Sequence, residues 1–261
     1  ILAFLIVAMI AVPNFATMNN FKNILSQSCV LLTVACGVHF AVLNGGVDFS
    51  STSIIALSSV VGASIMSETS GYLAGKWYAI PVALLAMLAL GAVFGIVNGI
   101  AVTVFKMPSF IATMATQLIG TGIAVIYSSG KTIGGLPDSF ADFGGGTLFG
   151  IIPNVLILAL AVMLISHIIC SRTLYGRRLY SVGTNPKAAL ISGIPVKKTI
   201  FWIFILSGLC SAVAGIIMMG QMQSGASSYG ATLFNDIMGS IIVGGTSPAG
   251  GSGKIPNTVL G

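Results

Sequence analysis

The side chains that could carry acid–base, nucleophilic or metal chemistry are few and scattered along this chain. It holds two histidines, five acidic residues and four cysteines in 261 residues. No nucleophile stands at a spacing that pairs it with a base, and no Cys-x-x-Cys or similar spacing offers the ligands of a zinc site. We therefore expect no catalytic residues and no metal site. The cysteines are interpreted as buried free thiols: Cys29, Cys36, Cys170 and Cys210.

One glycine-rich segment superficially suggests a phosphate-binding loop. Residues 250–254 read Gly-Gly-Ser-Gly-Lys. A Walker loop needs glycine five residues before its final glycine and Ser or Thr after its lysine, but Pro248 and Ile255 stand at those positions. We infer that the chain lacks a nucleotide site of its own, binds no cofactor and is not an enzyme. If ATP drives its activity, hydrolysis must occur on a separate subunit.

The composition places these residues in a lipid bilayer. Hydrophobic residues make up 56% of the chain, and charge is confined to 11 basic and 5 acidic residues. A soluble domain of this length would hold about 65 charged residues, so a cytosolic enzyme and a nucleic-acid-binding domain are poor fits. The net charge of +6 then reflects membrane orientation and not an anionic partner.

Apolar runs that approach the length of a membrane-spanning helix recur along the chain. They lack the alternation of transmembrane β-strands, so we predict an all-α polytopic membrane bundle, with about ten transmembrane helices in the full chain and eight or nine in this stretch. The chain opens and closes inside apolar runs, and we expect residues 1–261 to be one transmembrane domain truncated at both ends. The predicted spans are Ile1 to Val12, Ile24 to Leu43, Thr52 to Ser67, Tyr78 to Phe105, Phe110 to Ser128, Phe149 to Cys170, Thr199 to Met222, Leu233 to Val243 and a run from Ile255.

Basic residues concentrate in one polar segment, Ser171 to Lys198. This segment holds six of the eleven basic residues and no acidic residue, which predicts that it faces the cytoplasm. Counting spans outward from it places Lys106 and Lys254 on the same side. The other side then carries the remaining basic residues and three acidic ones: Lys22, Lys76, Lys131, Glu68, Asp138 and Asp142.

The middle of this polar segment predicts a short helix. Asn185 is a favourable N-cap, Pro186 suits the first helical position, and Gly193 is a typical stop. Because two turns of helix are marginal in water, we expect this helix to pack against the membrane domain or a partner. Ala188 and Ala189 would offer a surface for close approach. A plain basic loop is the alternative.

Small residues recur four apart in two of the predicted spans, a spacing that lets helices approach closely in lipid. Gly91, Gly95 and Gly99 lie in one span, and Gly208 with Ala212 lies in another. We interpret them as helix packing inside one bundle, with a dedicated dimer seam as the alternative.

Two acidic residues, Asp48 and Asp236, fall near or within the hydrocarbon region, where an unpaired charge is costly. Each could cap a following helix or lie beside a water-filled path at a neighbouring glycine break. With Asn98 and Gln117 they are our candidate translocation-pathway residues. His39 is interpreted as hydrogen-bonded packing, with a proton relay as the alternative.

Four motifs follow one another along the chain. They are Gly-Gly-Val-Asp-Phe-Ser at 45–50, Asn-Gly at 98–99, Gly-Arg-Arg-Leu-Tyr-Ser-Val-Gly-Thr-Asn at 176–185 with Ala-Ala at 188–189 and Ser-Gly-Ile at 192–194, and Gly-Gly-Thr-Ser-Pro-Ala-Gly-Gly-Ser-Gly at 244–253. In this order and spacing, the chain resembles the transmembrane permease of bacterial ribose-type sugar ABC importers.

The resemblance implies a multi-pass protein of the bacterial inner membrane that imports a monosaccharide by alternating access. Its implied partners are two ATP-binding cassette subunits holding ATP and Mg, a second identical or related permease chain, membrane lipid and a periplasmic sugar-binding protein. The cytoplasmic loop 171–198 would dock its short helix on the ATPase. The implied coupling residues are Gly176, Arg177, Asn185, Ala188, Ala189 and Gly193.

Two positions depart from the family pattern. Phe49 stands where the family usually has Leu, and Phe234 stands where it usually has an acidic residue. We expect these departures to bear on which sugar is carried. A branched-chain amino acid permease and an ion-coupled secondary transporter, which also uses glycine-broken helices, are the alternative functions.

Overall fold

The computed structural model describes residues 11, 12, 15–150 and 152–261, so most of the predicted span Ile1 to Val12 lies outside the described residues. The described chain is almost entirely helical. Its elements are α1 (Met18–Leu43), α2 (Ser50–Met66), α3 (Ala79–Thr103), α4 (Ser109–Ser128), α5 (Asp138–Gly145), an antiparallel hairpin of β1 (Thr147–Leu148) and β2 (Ile152–Pro153), α6 (Asn154–Arg172), α7 (Leu174–Thr184), α8 (Pro186–Ile191), α9 (Val196–Met222), α10 (Leu233–Val243) and α11 (Ile255–Leu260).

Five of these helices are long and apolar enough to cross a membrane: α1, α3, α4, α6 and α9. The apolar helices α2 and α10 are shorter, at 17 and 11 residues. The predicted polytopic helical bundle is thus confirmed. The prediction of eight or nine membrane-spanning helices is not confirmed for the described residues. Two of the predicted spans correspond to the shorter helices α2 and α10.

The small residues of α3 pack against α9 of the same chain. A β-carbon at Gly91 would overlap the carbonyl oxygen of Gly208, and one at Gly95 would lie 2.6 Å from the Cα of Ile205. The two helix backbones are therefore in direct contact, as small residues permit. The prediction of packing within one bundle is confirmed for these positions.

The interior of the bundle is formed by α1, α2 and α9, whereas α3, α4 and α6 lie around them. Nearly every residue of α2 is buried, because its Ser, Ala and Gly side chains allow neighbours on all sides. The outer helices keep broad apolar faces exposed; on α4, Leu118 is 70% and Ile126 80% exposed. Such faces suit contact with lipid or with another membrane chain.

The segment 223–232, between α9 and α10, is not helical although it runs beside α2. A β-carbon on Gly225 would overlap the Ser59 carbonyl, and one on Gly230 would lie 2.9 Å from the Thr52 carbonyl. The segment thus follows α2 toward its N-terminus for about 10 Å, at 1.5 Å per helical residue. Non-helical backbone at membrane depth is tolerated where protein buries it or where it lines a cavity.

The loops at the two ends of the bundle separate the charges as predicted. One end, here called the basic end, holds the connections 44–49 and 104–108, the segment 173–195 with α7 and α8, and the loop 244–254. Three hydrogen bonds join these segments and the neighbouring helix ends: Val47 N to Ser109 Oγ, Gly251 N to Leu43 O, and Tyr180 Oη to Gly253 O. At the opposite end Ser67 donates to the Gly134 carbonyl, and Ile133 pairs with Gly225.

Two helices that were not predicted are present at these ends. The first, α7, buries Gly176, Leu179 and Val182 on one side. This three-residue spacing is helical, but only the middle of the segment 171–198 was predicted to be a helix. The second, α5, buries Phe140 and Gly144.

Candidate functional site

The break between α1 and α2 places an acidic side chain inside the protein. Gly45 has φ +71, which lets the chain turn at the end of α1. Asp48 follows and is 1% exposed. Its Oδ1 accepts hydrogen bonds from the Ser50 backbone N at 3.0 Å and from Ser50 Oγ at 2.6 Å. Asp48 therefore accepts the N–H of Ser50, the first residue of α2, from the position before the N-cap. The N-cap itself is Phe49 and no side chain caps the helix, so Asp48 is bonded to the start of α2 without being its N-cap.

A chain of buried polar side chains leads away from Asp48. Asn98 Nδ2 donates to Ser50 Oγ at 2.8 Å, and Thr116 Oγ1 donates to Asn98 Oδ1 at 2.8 Å. This polar chain, Asp48–Ser50–Asn98–Thr116, crosses from the α1–α2 break through α2 and α3 to α4. Its members are at most 9% exposed. The structure thus brings the predicted residues Asp48 and Asn98 together through Ser50.

The second carboxylate oxygen of Asp48 lies at the end of the polar chain nearest α9. Asp48 Oδ2 and Ser207 Oγ are both buried and form no hydrogen bond of good geometry with the described residues. The Ser207 hydroxyl nevertheless lies beside the Asp48 carboxyl group. A buried polar group without a partner is costly, which makes this pair a place where a water or a polar solute would be stabilised.

Gln117 belongs to a neighbouring, more accessible site. Its Nε2 donates to Thr52 Oγ1 at 3.0 Å. Both residues line a cavity of about 240 Å³ between α2, α4 and the segment 223–232. We call it the α2–α4 cavity; its lining residues are Thr52, Ala56, Gln117, Leu118, Thr121, Ser227, Tyr229 and Ala231.

A larger cavity of about 480 Å³ lies between α3, α5, α6 and α9. Its lining residues are all apolar, for example Leu84, Phe140 and Leu158. A polar solute would find no hydrogen-bonding side chain there. The α2–α4 cavity is therefore the better candidate for a hydrophilic substrate.

Asp236 does not join the polar chain. It is exposed and lies in the first turn of α10, where a negative charge is favourable. The N-cap of α10 is Thr232, so the interpretation of Asp236 as a cap of this helix is wrong. The predicted start at Leu233 is correct, and Asp236, three residues after it, lies too far inside the helix to cap it.

The two positions that depart from the family pattern contact each other. The Phe49 and Phe234 rings are stacked, with centroids 4.0 Å apart and an interplanar angle of 17°. Phe49 immediately precedes α2, and Phe234 is the second residue of α10. The stack therefore connects the α1–α2 break to the end of the segment 223–232. Nothing in the sequence indicated that these two distant residues are in contact.

His39 lies fully buried near the end of α1. Its Nδ1 is 2.8 Å from Thr258 Oγ1 and 3.3 Å from Thr246 Oγ1. These contacts connect α1 to α11 and to the glycine-rich loop 244–253. They agree with the interpretation of His39 as a hydrogen-bonded packing residue.

The short helix α8 begins as the sequence predicts. Asn185 Oδ1 accepts hydrogen bonds from the backbone N of Lys187 and of Ala188, both at 3.0 Å. Pro186 is the first helical residue, and Gly193, with φ +79, lies just beyond the end. The N-cap, the first helical position and the stop are therefore confirmed as structural features.

The two alanines of α8 face in opposite directions. Ala188 is exposed, whereas Ala189 is 4% exposed and packs against its own chain. Beside Ala188, Leu190 and Ile191 are 65% and 88% exposed. Apolar side chains this exposed at the basic end of a membrane protein indicate a contact surface, and Ala188 belongs to it.

Of the neighbouring residues Gly176 and Arg177, the first is buried and the second is exposed. A β-carbon on Gly176 would overlap the Cys170 carbonyl oxygen, so this glycine is required for α7 to pack on the end of α6. Arg177 is exposed. The predicted coupling residues thus include both packing positions and surface positions.

The glycine-rich loop 244–253 is held between α7 and the α1–α2 break. Gly251 N donates to Leu43 O at 2.7 Å, and a β-carbon on Gly250 would lie 2.7 Å from Gly45 N. A β-carbon on Gly183 would overlap Leu43 O. We call this contact of Leu43, Gly45, Gly183, Gly250 and Gly251 the glycine junction. It is made by backbone atoms that only glycine allows so close together.

Two tyrosines of α7 reinforce this arrangement. Tyr175 Oη donates to Thr199 O at 3.1 Å and Tyr180 Oη to Gly253 O at 2.7 Å. Burial raises the pKa of both phenols, and the nearby Cys170 adds to the effect. Both hydroxyls therefore remain neutral donors at physiological pH.

Sequence reasoning missed the residues that connect the predicted ones. Ser50 and Thr116 carry the polar chain, and Ser207 lies beside its Asp48 end. Tyr180 joins α7 to the glycine-rich loop. Polar residues within apolar helices were the available signal, but Ser and Thr often bond to their own helix. The four cysteines are buried and free. Among the described residues, no group of three His, Cys, Asp or Glu side chains could hold a metal ion.

Comparison with known proteins shows similarity over nearly the whole chain. Residues 20–261 match the family described as branched-chain amino acid transport system / permease component. The ribose import permease protein of Escherichia coli (strain K12) is 35% identical over 253 residues, covering 95% of this chain and 76% of that protein. The Bacillus subtilis (strain 168) ribose import permease protein is 35% identical, covering 99% and 79%.

Relatives named for other sugars match equally far along the chain. The L-arabinose transport system permease protein of Escherichia coli (strain K12) is 36% identical, covering 97% of this chain and 74% of that protein. The galactose/methyl galactoside import permease protein of Haemophilus influenzae is 31% identical, covering 95% and 77%. No solved structure gives a significant match.

Proposed function

The chain belongs to the permease family of the branched-chain amino acid transport systems, and we propose that it is the transmembrane subunit of an ATP-driven importer for a monosaccharide. The observation that carries this proposal is the continuous similarity, at 31–36% identity, to permeases named for ribose, L-arabinose and galactose. The sugar would be a ribose-like pentose or a hexose.

The pathway is proposed to run beside the polar chain and the α2–α4 cavity. Both lie where the helical backbone is interrupted, at 44–49 and 223–232. Polar groups and non-helical backbone within a bundle are tolerated where they line a hydrated path. Asp48, Asn98 and Gln117 would contribute to this path, and Asp236 would lie at its exposed margin. Alternating access would open the path to each side in turn.

The partners are proposed from the surface of the basic end. Ala188, Leu190 and Ile191 form an exposed apolar patch on α8, which would dock on an ATP-binding cassette subunit. ATP and Mg would be bound there and not by this chain. Two such subunits, a second permease chain, membrane lipid and a periplasmic sugar-binding protein would complete the transporter. The basic end would then face the cytoplasm of a bacterium, with about ten spanning helices in the full chain.

Coupling would pass from α8 through α7 into the membrane. Asn185 fixes the start of α8, Gly193 ends it, and Ala189 packs it on the chain. Gly176 packs α7 on α6, and Arg177 adds an exposed charge. A movement imposed on the loop 171–198 would thus reach the glycine junction, next to Asp48.

The two alternative functions are less well supported. The curated relatives are named for sugars even though the family is named for branched-chain amino acids. A secondary transporter driven by an ion gradient would need intramembrane acids to carry the ion. Asp48 is the one acidic residue buried among the described residues.

The proposal is tested by purifying the tagged full-length protein gently from its native membrane. We expect an ATPase with a Walker motif in roughly equal amount, and ATP-dependent sugar uptake after reconstitution with a sugar-binding protein. A chain that purifies alone, binds no supplied ATPase and moves substrate on an ion gradient would overturn the proposal.

A further inference from the structure

We propose that the α2–α4 cavity, which opens at the exposed face of α4, is a binding site for an uncharged sugar. This inference rests on the proposed function. The cavity, about 240 Å³ in volume, is bounded by α2, α4 and the segment 223–232. None of its eight lining residues carries a formal charge. Five of them have a hydroxyl or amide side chain: Thr52, Gln117, Thr121, Ser227 and Tyr229.

The uncharged polar residues that line the cavity favour binding of a sugar over binding of an amino acid. A sugar presents hydroxyl groups that both donate and accept hydrogen bonds, and neutral hydroxyl and amide groups can match them. A free amino acid carries an ammonium and a carboxylate group, which need opposite charges when they leave water. The cavity provides no such charge, so it favours an uncharged polyhydroxylated ligand.

Gln117 is held in a position to contact that ligand. Its Nε2 donates to Thr52 Oγ1, and Thr52 Oγ1 donates to the carbonyl of Phe49. The side-chain amide has two donor hydrogens and two acceptor lone pairs, and the contact with Thr52 uses one donor. Gln117 therefore presents a fixed amide with unused hydrogen-bonding capacity to the cavity.

A separate observation concerns the boundary of this cavity toward the basic end. Phe49 lies just before α2, three residues from Thr52, and Phe234 lies three residues after Ala231. Their stack, with centroids 4.0 Å apart, therefore joins two walls of the cavity on the side of the basic end. Both rings are only half-buried. We infer that the Phe49–Phe234 stack is a gate that must separate for sugar to leave toward the basic end.

The site is tested by substrate protection of a single exposed thiol. Thr121→Cys places the thiol in the cavity lining, where Thr121 is exposed, whereas the four native cysteines are buried. The complete permease–ATPase complex, in membrane vesicles, would be labelled with a membrane-impermeant maleimide. D-Ribose, L-arabinose or D-galactose at millimolar concentration should slow the labelling of Thr121→Cys, and L-leucine should not.

Matched variants separate the site from the rest of the protein. Adding Gln117→Leu should abolish protection by sugar, while adding Gln221→Leu, whose amide instead contacts Ser26, should preserve it. Protection by L-leucine, or equal protection in the Gln117→Leu variant, would overturn the site. If sugar is still taken up but does not slow the labelling of Thr121→Cys, the binding site is wrong and the proposed importer function stands. If sugar is not taken up either, the proposed importer function is wrong as well.

The gate is tested with the same thiol in inside-out vesicles, where the basic end faces the reagent. Phe234→Ala should speed labelling of Thr121→Cys in the absence of sugar by roughly two- to tenfold, the range that corresponds to loss of an aromatic pair. Phe49→Ala should act in the same direction. Phe105→Ala, at an exposed position of the same end (71% exposed), should leave the rate unchanged. Unchanged labelling in both stack variants would overturn the gate.

Discussion

The hydroxyl of Tyr180 donates a hydrogen bond of 2.7 Å to the carbonyl oxygen of Gly253. Tyr180 lies on α7, directly before the short helix α8 that carries the exposed apolar patch. Gly253 ends the loop whose glycines contact Leu43 and Gly45. A single side-chain contact thus joins the proposed ATPase-docking region to the backbone beside Asp48.

Tyr180→Phe should weaken the coupling of ATP hydrolysis to transport while leaving the fold intact. The substitution removes one hydrogen bond, worth about 1 kcal/mol, and keeps the ring. We expect fewer sugar molecules imported per ATP hydrolysed by the reconstituted complex. Tyr72→Phe, at a position 76% exposed at the opposite end, is the control. An unchanged ratio for Tyr180→Phe would show that this contact transmits nothing.

Asn98→Leu should destabilise the membrane domain. Ser50 and Thr116 each lose their hydrogen bond to Asn98, although Ser50 still donates to Asp48 and Thr116 can still donate to the Ala112 carbonyl. The expected loss is therefore about 1 kcal/mol for each hydrogen bond removed. Thermal unfolding in detergent should show a lowered Tm. Asn23→Leu, at an exposed position on α1, should change the Tm little. A Tm for Asn98→Leu equal to that of the unaltered protein would contradict the polar chain.

The variants Asp48→Asn and Asp48→Ala should distinguish the contribution of Asp48 to stability from a contribution to sugar transport. An asparagine oxygen can still accept from Ser50, so Asp48→Asn should keep near-normal thermal stability. Asp48→Ala loses the hydrogen bonds from Ser50, each worth about 1 kcal/mol, and should lower the Tm. If the carboxyl group serves the pathway, sugar uptake falls in both variants. Normal uptake by Asp48→Asn would leave Asp48 a structural role only.

Ala188→Trp should uncouple the transporter by blocking close approach of the ATPase to α8. The side chain at 188 is exposed, so the larger residue does not disturb the membrane domain itself. Uptake by the reconstituted complex should fall while the permease Tm is unchanged. Ala74→Trp, exposed at the opposite end, should transport normally. A bulky residue at Gly193 tests the same docking but also strains a backbone with φ +79.

Unaltered transport by both Ala188→Trp and a bulky Gly193 variant would count heavily against the placement of the coupling helix. A secondary transporter would tolerate both changes, because it has no ATPase to dock. The measurement therefore bears on the class of transporter as well as on the residues.

Local features of this protein were predictable from sequence where the signal lies within a few residues. The cap at Asn185, the stop at Gly193 and the bounds Leu233–Val243 match the structure because capping chemistry and apolar runs are local. The charge separation between the two ends was also predictable, because it depends only on the order of the spans.

Contacts between distant segments were not predictable in this way. Asp48 and Asp236 looked equivalent as acids beside glycine breaks, yet one is buried and the other exposed. The difference arises from what each helix packs against, which no local spacing encodes. The Phe49–Phe234 stack, 185 residues apart in sequence, and the Tyr180–Gly253 contact are of the same kind.

The glycine junction has a practical consequence for engineering this protein. Its contacts are between main-chain atoms, so no alternative side-chain conformation can make room for added mass. The loop 244–253 lies at one end of the protein, where an epitope, a fluorophore or a protease site would commonly be inserted. Any such insertion would separate α7 from the end of α1. Tags intended to leave transport intact belong elsewhere, for example near Gly75, where a side chain would meet nothing within 4 Å.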